Sequence, residues 1–282
     1  MGLGRATASA ALGATPLNAW RRMSMAAHHV HAPGPARGDA FMRQAGFVTA
    51  NPHLRGLFVE AGEVAARDCP VLVVGESGTG KVMFARGIHG ISARRGGPFH
   101  TLYCGGLPAQ VEAELPRCLL RAAGGTLVVE GIAGAPSAAQ DALYAAIETG
   151  REGRQTSAKL RRRDVRLVAL ANPHATPDMA TAAVEGTFRR DLYEAFADAT
   201  LTLPPLREHP EDIPILVEHF LRRLSDGWTR EAPLIAPETM DSLVAHDWPA
   251  NARDLMFALE FALPKCTGGT LLPEHLPDAV RR

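Results

Sequence analysis

A glycine-rich loop closed by a lysine constrains this chain more than any other stretch. Gly75, Glu76, Ser77, Gly78, Thr79, Gly80 and Lys81 read GESGTGK, which fits the phosphate-binding pattern G-x-x-x-x-G-K. The loop follows an apolar run over residues 69–74, CPVLVV, that reads as a buried strand. Glycines let the backbone turn tightly and present successive N–H groups to a polyphosphate, Lys81 reaches the outer phosphates, and the next helix offers its positive N-terminus. A glycine-rich surface turn is the alternative. The chain has only three lysines, and one stands correctly behind both glycines and a strand, so a nucleotide site is the better reading. Val82 stands where such loops usually place a Ser or Thr hydroxyl on magnesium, and it cannot be a ligand.

With 282 residues, 46% of them apolar, the chain can build a real core in one large or two small domains. Thirty basic and thirty acidic side chains cancel, so no global field draws it to nucleic acid or to an anionic membrane. The four cysteines, at 69, 104, 118 and 266, show no C-x-x-C spacing, which argues against a zinc site or a disulfide framework and points to a reducing cytoplasm. No apolar stretch approaches the roughly 18 residues that span a bilayer.

Residues 1–45 are rich in Ala, Gly, Pro and His without sustained periodicity, and are expected to be a disordered tail. Residues 6–14 are too weakly apolar to favour a signal peptide, and Met23, Met25 or Met42 are alternative starts. His28, His29 and His31 lack an acidic or cysteine partner nearby, so a solvated tail is preferred to a metal site.

From Gly46 onwards apolar strand-like runs over 69–74, 99–104, 125–130, 165–171 and 199–203 alternate with helical stretches over 54–65, 82–91, 109–123, 138–148 and 188–196. That alternation predicts an α/β fold, a parallel five-stranded sheet covered by helices on both faces. Ligands in such sheets sit at the carboxyl ends of strands, where Gly75, Glu130 and Asn172 fall. Strands are expected to stop after Pro204 and Pro205, with helices over 212–224, 237–246 and 253–263 forming a second unit. The expected division is tail 1–45, nucleotide-binding α/β subdomain 46–206 and helical lid 207–282.

The ordered strings VLVVGESGTGK, ARGIHGISARRGGPFHTLYCGGLP, AAGGTLVVEGI, VRLVALAN, FRRDLYEAF, LTLPPLREHPEDIPIL and DWPANARDL resemble the AAA+ ATPase domain of bacterial sigma-54-dependent transcription activators, the enhancer-binding proteins. The resemblance runs from about Gly46 to Arg281, and its LPPLRE-x-x-EDI and WP-x-N-x-R-x-L strings are the most specific. It implies an ATP-driven ring, usually a hexamer, that remodels sigma-54 RNA polymerase, with ATP and Mg2+ as cofactors.

The same resemblance exposes departures. Where the family ends a strand with Asp-Glu, this chain has Glu130 and Gly131. Glu130 can still hold magnesium or be a solvated strand-end carboxylate, whereas Gly131 cannot act as a base, a loss of about 10² to 10⁴ in rate. Asn172 matches the family's sensor, preceded by Ala171 instead of Thr, although an Asn-Pro turn explains it too. Arg189 matches the first trans-acting arginine or is a surface ion-pair residue; the second falls on Ala195, and a missing finger is worth about 10³ to 10⁵ in related enzymes. Arg253 matches the lid arginine that reaches the phosphates, or is a helix-surface charge. Only residues 105–124 stand where the family carries its sigma-54-gripping GAFTGA insertion, and that motif is absent. Lys159, Arg161, Arg162, Arg163 and Arg166 offer a weaker polar contact or, preferably, a solvated charge run.

No DNA-binding helix-turn-helix follows the lid in this sequence, so sequence-specific DNA binding is not expected. The preferred reading is an ATP-binding regulatory or scaffold subunit that assembles with itself or with an intact relative, without direct sigma-54 contact. Two alternatives stand beside it: a slow ATPase in a mixed ring acting on another partner, and a decayed gene product.

Overall fold

The computed structural model describes residues 36–156, 164–174, 179–225 and 232–281. The chain runs α1 (Ala36–Ala45), α2 (Pro52–Ala66), β1 (Val71–Val74), α3 (Lys81–Ile91), β2 (Phe99–Tyr103), α4 (Pro108–Arg121), β3 (Thr126–Glu130), α5 (Ser137–Thr156), β4 (Arg166–Ala171), α6 (Met179–Glu185), α7 (Arg190–Glu194) and β5 (Thr200–Thr202). It continues with α8 (Ile213–Ser225), β6 (Leu234–Ile235), α9 (Pro237–Ala245), α10 (Asn251–Ala262) and β7 (Thr270–Leu271). Strands β1 to β5 form one parallel sheet in the order β2-β3-β4-β1-β5.

The register explains why these strands read as continuous apolar runs. On β1, Val71 and Val73 pack on one side with Phe58, Phe84 and Leu201, while Leu72 faces the other side with Leu127, Leu143 and Leu167. Period-2 alternation thus delivers side chains to two cores, and both faces must be apolar. A third core, with Leu206, Val217, Leu243, Trp248, Leu255 and Leu271, holds the C-terminal helical unit together.

Three expectations require correction. The tail does not extend to residue 45, because residues 36–45 form α1: Phe41 is fully buried, 5.4 Å from the Phe58 ring and 4.8 Å from that of Phe84. Gly87 on α3 permits this docking, since a Cβ there would lie 2.7 Å from both Phe41 and Ala45. Strands do not stop after Pro205; β6 and β7 pair in parallel, two residues each.

Arg166 is not part of a solvated charge run either. It is buried at the start of β4 and donates to the carbonyls of Cys69, Ala65 and Val64 at 3.1, 3.0 and 2.8 Å, tying the end of α2 to the sheet. Residues 1–35, with His28, His29 and His31, and Lys159 with Arg161, Arg162 and Arg163, lie outside the described residues. Among the described residues no helix is long and apolar enough to cross a membrane. All four cysteines are free, and burial pushes the Cys104 thiol up to about 11.

If α1 is integral to the core, Phe41→Ala costs about 3 to 5 kcal/mol, the range for truncating a buried aromatic. Urea unfolding of the full chain measures it; a loss below about 1 kcal/mol would mean that α1 does not contribute.

Candidate functional site

Strand β1 is short and interior, so the chain leaves the sheet at Gly75 between the ends of β4 and β5. Gly75 N–H donates to Ala171 O at 3.1 Å, which joins the start of the loop to the end of β4. Gly78 and Gly80 have φ of +79° and +91°, the left-handed region that glycine enters without strain. A Cβ on Gly78 would meet the carbonyl oxygen of Ala250 at 1.9 Å, because the turn before α10 rests on the loop apex. A Cβ on Gly80 would lie 2.9 Å from the Phe47 ring.

Lys81 opens α3, and its Nζ folds back to donate to Gly75 O and Glu76 O, 2.7 Å each. Burial lowers its pKa from the ordinary lysine value, with the nearby Glu130 carboxylate opposing that shift. Thr79 Oγ1 donates to Glu76 O at 2.9 Å. Val82 is half-buried against the aromatic core and contributes packing.

Glu130 ends β3, half-buried and in register with Tyr103 and Leu170. Gly131 follows at φ +67°, its open side facing Gly105 N and the Tyr103 ring, 3.4 and 3.7 Å from where a Cβ would stand. Asn172 follows β4, and its Oδ1 accepts the His174 N–H at 3.0 Å, closing a local turn. Strands β3, β4 and β1 are neighbours, so Glu130, Asn172 and the loop share one end of the sheet. Arg253 reaches the same place from α10, its Nη1 3.2 Å from Ser77 Oγ.

Arg189 is not gathered there within this chain. It caps α7 and is held by Asp191, at 2.9 and 2.5 Å, and by Asp141, at 2.5 Å, with its guanidinium 4.7 Å above the Tyr144 ring. Ala195 is partly buried against the core. Among the described residues no group of three or more His, Cys, Asp or Glu side chains is arranged to hold a metal.

Sequence reasoning missed the role of the Glu76 side chain. It is 8% exposed. Arg207 grips it through Nη1 on Oε2 at 2.8 Å and Nη2 on Oε1 at 2.6 Å, Asn251 Nδ2 donates to Oε2 at 3.2 Å, and His174 Nε2 lies 3.0 Å from Oε1. Hydrogen bonds from Arg207 and then His174 lower its pKa from 4.5 to about 2. One signal was available: a carboxylate inside a phosphate loop repels its ligand unless it is paired. A cavity of about 310 Å³ opens beside this cluster, walled by Gly75, Pro173, Leu203, Pro204 and Pro205.

Asp212 was also missed. It is fully buried and accepts from Thr49 Oγ1 and Ala50 N at 2.6 Å each, Asn51 N at 3.2 Å and His209 Nδ1 at 3.0 Å. These bonds fasten the segment before α2 to the start of α8.

A parallel sheet with a phosphate loop, strand-end polar residues and a helical lid folded onto the loop defines a P-loop AAA+ module. Family models agree: Sigma-54 interaction domain matches residues 47–116 and 117–202, and AAA+ ATPase lid domain matches residues 207–282. The chain belongs to the sigma-54 interaction domain family of AAA+ proteins.

It is 33% identical over 268 residues to the transcriptional regulatory protein ZraR of Salmonella typhimurium, covering 89% of this chain and 60% of that protein. It is 38% identical over 243 residues to the C4-dicarboxylate transport transcriptional regulatory protein DctD of Rhizobium meliloti, covering 76% and 52%. NtrX from Brucella abortus, solved in complex with ATP, superposes with a TM-score of 0.73 at 27% identity, covering 94% of this chain and 61% of that one. The chain thus spans between half and two thirds of the length of these relatives.

Folding lowers the Glu76 pKa, so the folded state takes up this proton less readily than the unfolded chain. The stabilisation is complete above pH 4.5 and is lost as pH falls towards about 2. Glu76→Gln is expected to remove this contribution. In acid titrations followed by melting temperature, the gap between wild type and variant should close over that window; a constant gap would refute the assignment.

Proposed function

We propose that this chain binds ATP through residues 75–81 and serves transcription control as a regulatory or scaffold subunit that hydrolyses ATP weakly or not at all. One observation carries the reading: a complete phosphate loop with Lys81 in place stands beside a strand end where Gly131 offers no side chain to activate water. Backbone N–H groups of the loop and Lys81 would hold the phosphates, and Arg253 would approach them from the lid. Magnesium is usually held by one or two carboxylates together with the phosphates. Glu130 suits that role, and Val82 removes the hydroxyl that would have helped.

In a ring of copies, or of this chain with an intact relative, Arg189 is the residue available to a neighbour's phosphates. Its use in trans requires exchange of Asp191 and Asp141 for phosphate oxygens. The slow-ATPase reading is favoured by the position of Arg189, at the surface with partly exposed partners that can be exchanged. Sigma-54 contact is not expected, because α4 and its turns take up the whole β2–β3 connection and leave no chain to project as a gripping loop. The chain's role in its own regulatory system is accordingly assembly and nucleotide sensing.

A ligand at about 100 times its Kd stabilises by about 2.7 kcal/mol, so saturating ATP with magnesium should raise the melting temperature by several degrees. Lys81→Ala should abolish that shift. Absence of a shift in the wild type refutes binding, and turnover equal to that of an intact activator refutes the impaired-hydrolysis reading. In a pull-down with a transition-state analogue of ATP, an intact activator should capture sigma-54 while this chain captures little; comparable capture would overturn the contact argument.

A further inference from the structure

We infer that Glu76 relays phosphate capture by Lys81 to the lid, and that His174 is a positioning residue extending the relay to the loop that carries Asn172. This inference rests on the nucleotide-binding reading.

Two sets of contacts meet at residue 76. On the main chain, the Lys81 ammonium bonds to the carbonyls of Gly75 and Glu76, 2.7 Å each. Hydrogen bonds to ionised oxygens are roughly twice as strong as those to neutral ones, so a polyphosphate competes with both carbonyls for the three N–H groups of the ammonium. On the side chain, the carboxylate of the same residue is held from outside the loop by Arg207, Asn251 and His174. Four donors occupy its two oxygens, so a turn of the backbone at residue 76 is felt by all three donor residues.

The donors come from two directions. Arg207 and Asn251 belong to the lid, and Asn251 is itself fixed at both ends of its amide: Nδ2 donates to Ser77 O at 2.9 Å and Oδ1 accepts the Leu206 N–H at 2.7 Å. His174 lies two residues past Asn172, and its main-chain N–H donates to the Asn172 side-chain Oδ1. Because Glu76 is ionised and only accepts, the imidazole Nε2 carries the proton. Coupling requires a contact that differs between the two states. The Lys81 bonds to the two carbonyls can supply it, because a phosphate competes for the same ammonium.

The test is hydrogen exchange of the full chain with and without ATP and magnesium, read in the lid turn around Trp248 to Asp254 and in the peptide carrying Asn172 and His174. Thermal shift is the parallel binding readout. In the wild type ATP should slow exchange in both segments, by about fivefold or more. Arg207→Ala should keep the ATP-dependent thermal shift and lose the response of the lid turn. His174→Ala should lose the response around Asn172 and keep that of the lid, and His174→Gln, which retains a donor, should restore it. Should Arg207→Ala not fold, Arg207→Lys, which cannot make the two-pronged bond, should show a reduced lid response. Full lid responses in the Arg207 variants, or a wild type that binds ATP with unchanged exchange in both segments, overturn the relay and leave nucleotide binding standing. A wild type with no thermal shift overturns both.

Discussion

The carboxylate of Glu76 sets a condition that the rest of the site has to meet. A charge this deeply buried is tolerated only when its oxygens are saturated by donors. Two of those donor residues are separated from it by 131 and 175 positions in sequence and the third by 98. The lid and the β4 loop therefore supply the donors that this residue of the phosphate loop needs. Asp212 imposes the same condition elsewhere, gathering three donors from the segment before α2. Two buried carboxylates, one in each subdomain, thus hold the lid in register with the sheet.

What the sequence revealed and what it concealed follow from how local each signal is. The phosphate loop and the five strands were legible because glycine spacing, a lysine and apolar runs are short-range features, and an interior parallel strand must be apolar on both faces. The Glu76 cluster was illegible because nothing near residue 76 names Arg207, His174 or Asn251. Helix α1 was hidden by composition: its Ala, Gly and Arg residues resemble the tail before them, and Phe41 and Ala45, docking against Gly87, bring it into the core. Arg166 was misread because a basic residue next to others counts as solvated until three backbone carbonyls are seen around it.

At the end of β3, Gly131 occupies a backbone conformation that suits glycine. Its φ of +67° lies where a residue with a Cβ is strained by about 1 to 2 kcal/mol, and the Tyr103 ring occupies part of the space that a larger side chain would enter. A glutamate introduced there would meet an unfavourable backbone and an aromatic neighbour together. The backbone conformation suits glycine, so a carboxylate at this position would carry that strain.

Arg189 is the side chain on which the proposed ring joint would draw. Alone, the chain satisfies this guanidinium with Asp191, Asp141 and the Tyr144 face, and those contacts brace α7 against α5. None of the partners is deeply buried, and exposed ion pairs contribute little net stability. A neighbouring triphosphate offers more negative charge than either carboxylate, so the exchange can favour assembly. Ala195, at the other end of α7, contributes no second guanidinium. A ring joint built on this surface would then depend on Arg189, and the stability of α7 in the free chain and the strength of that joint would compete for one side chain.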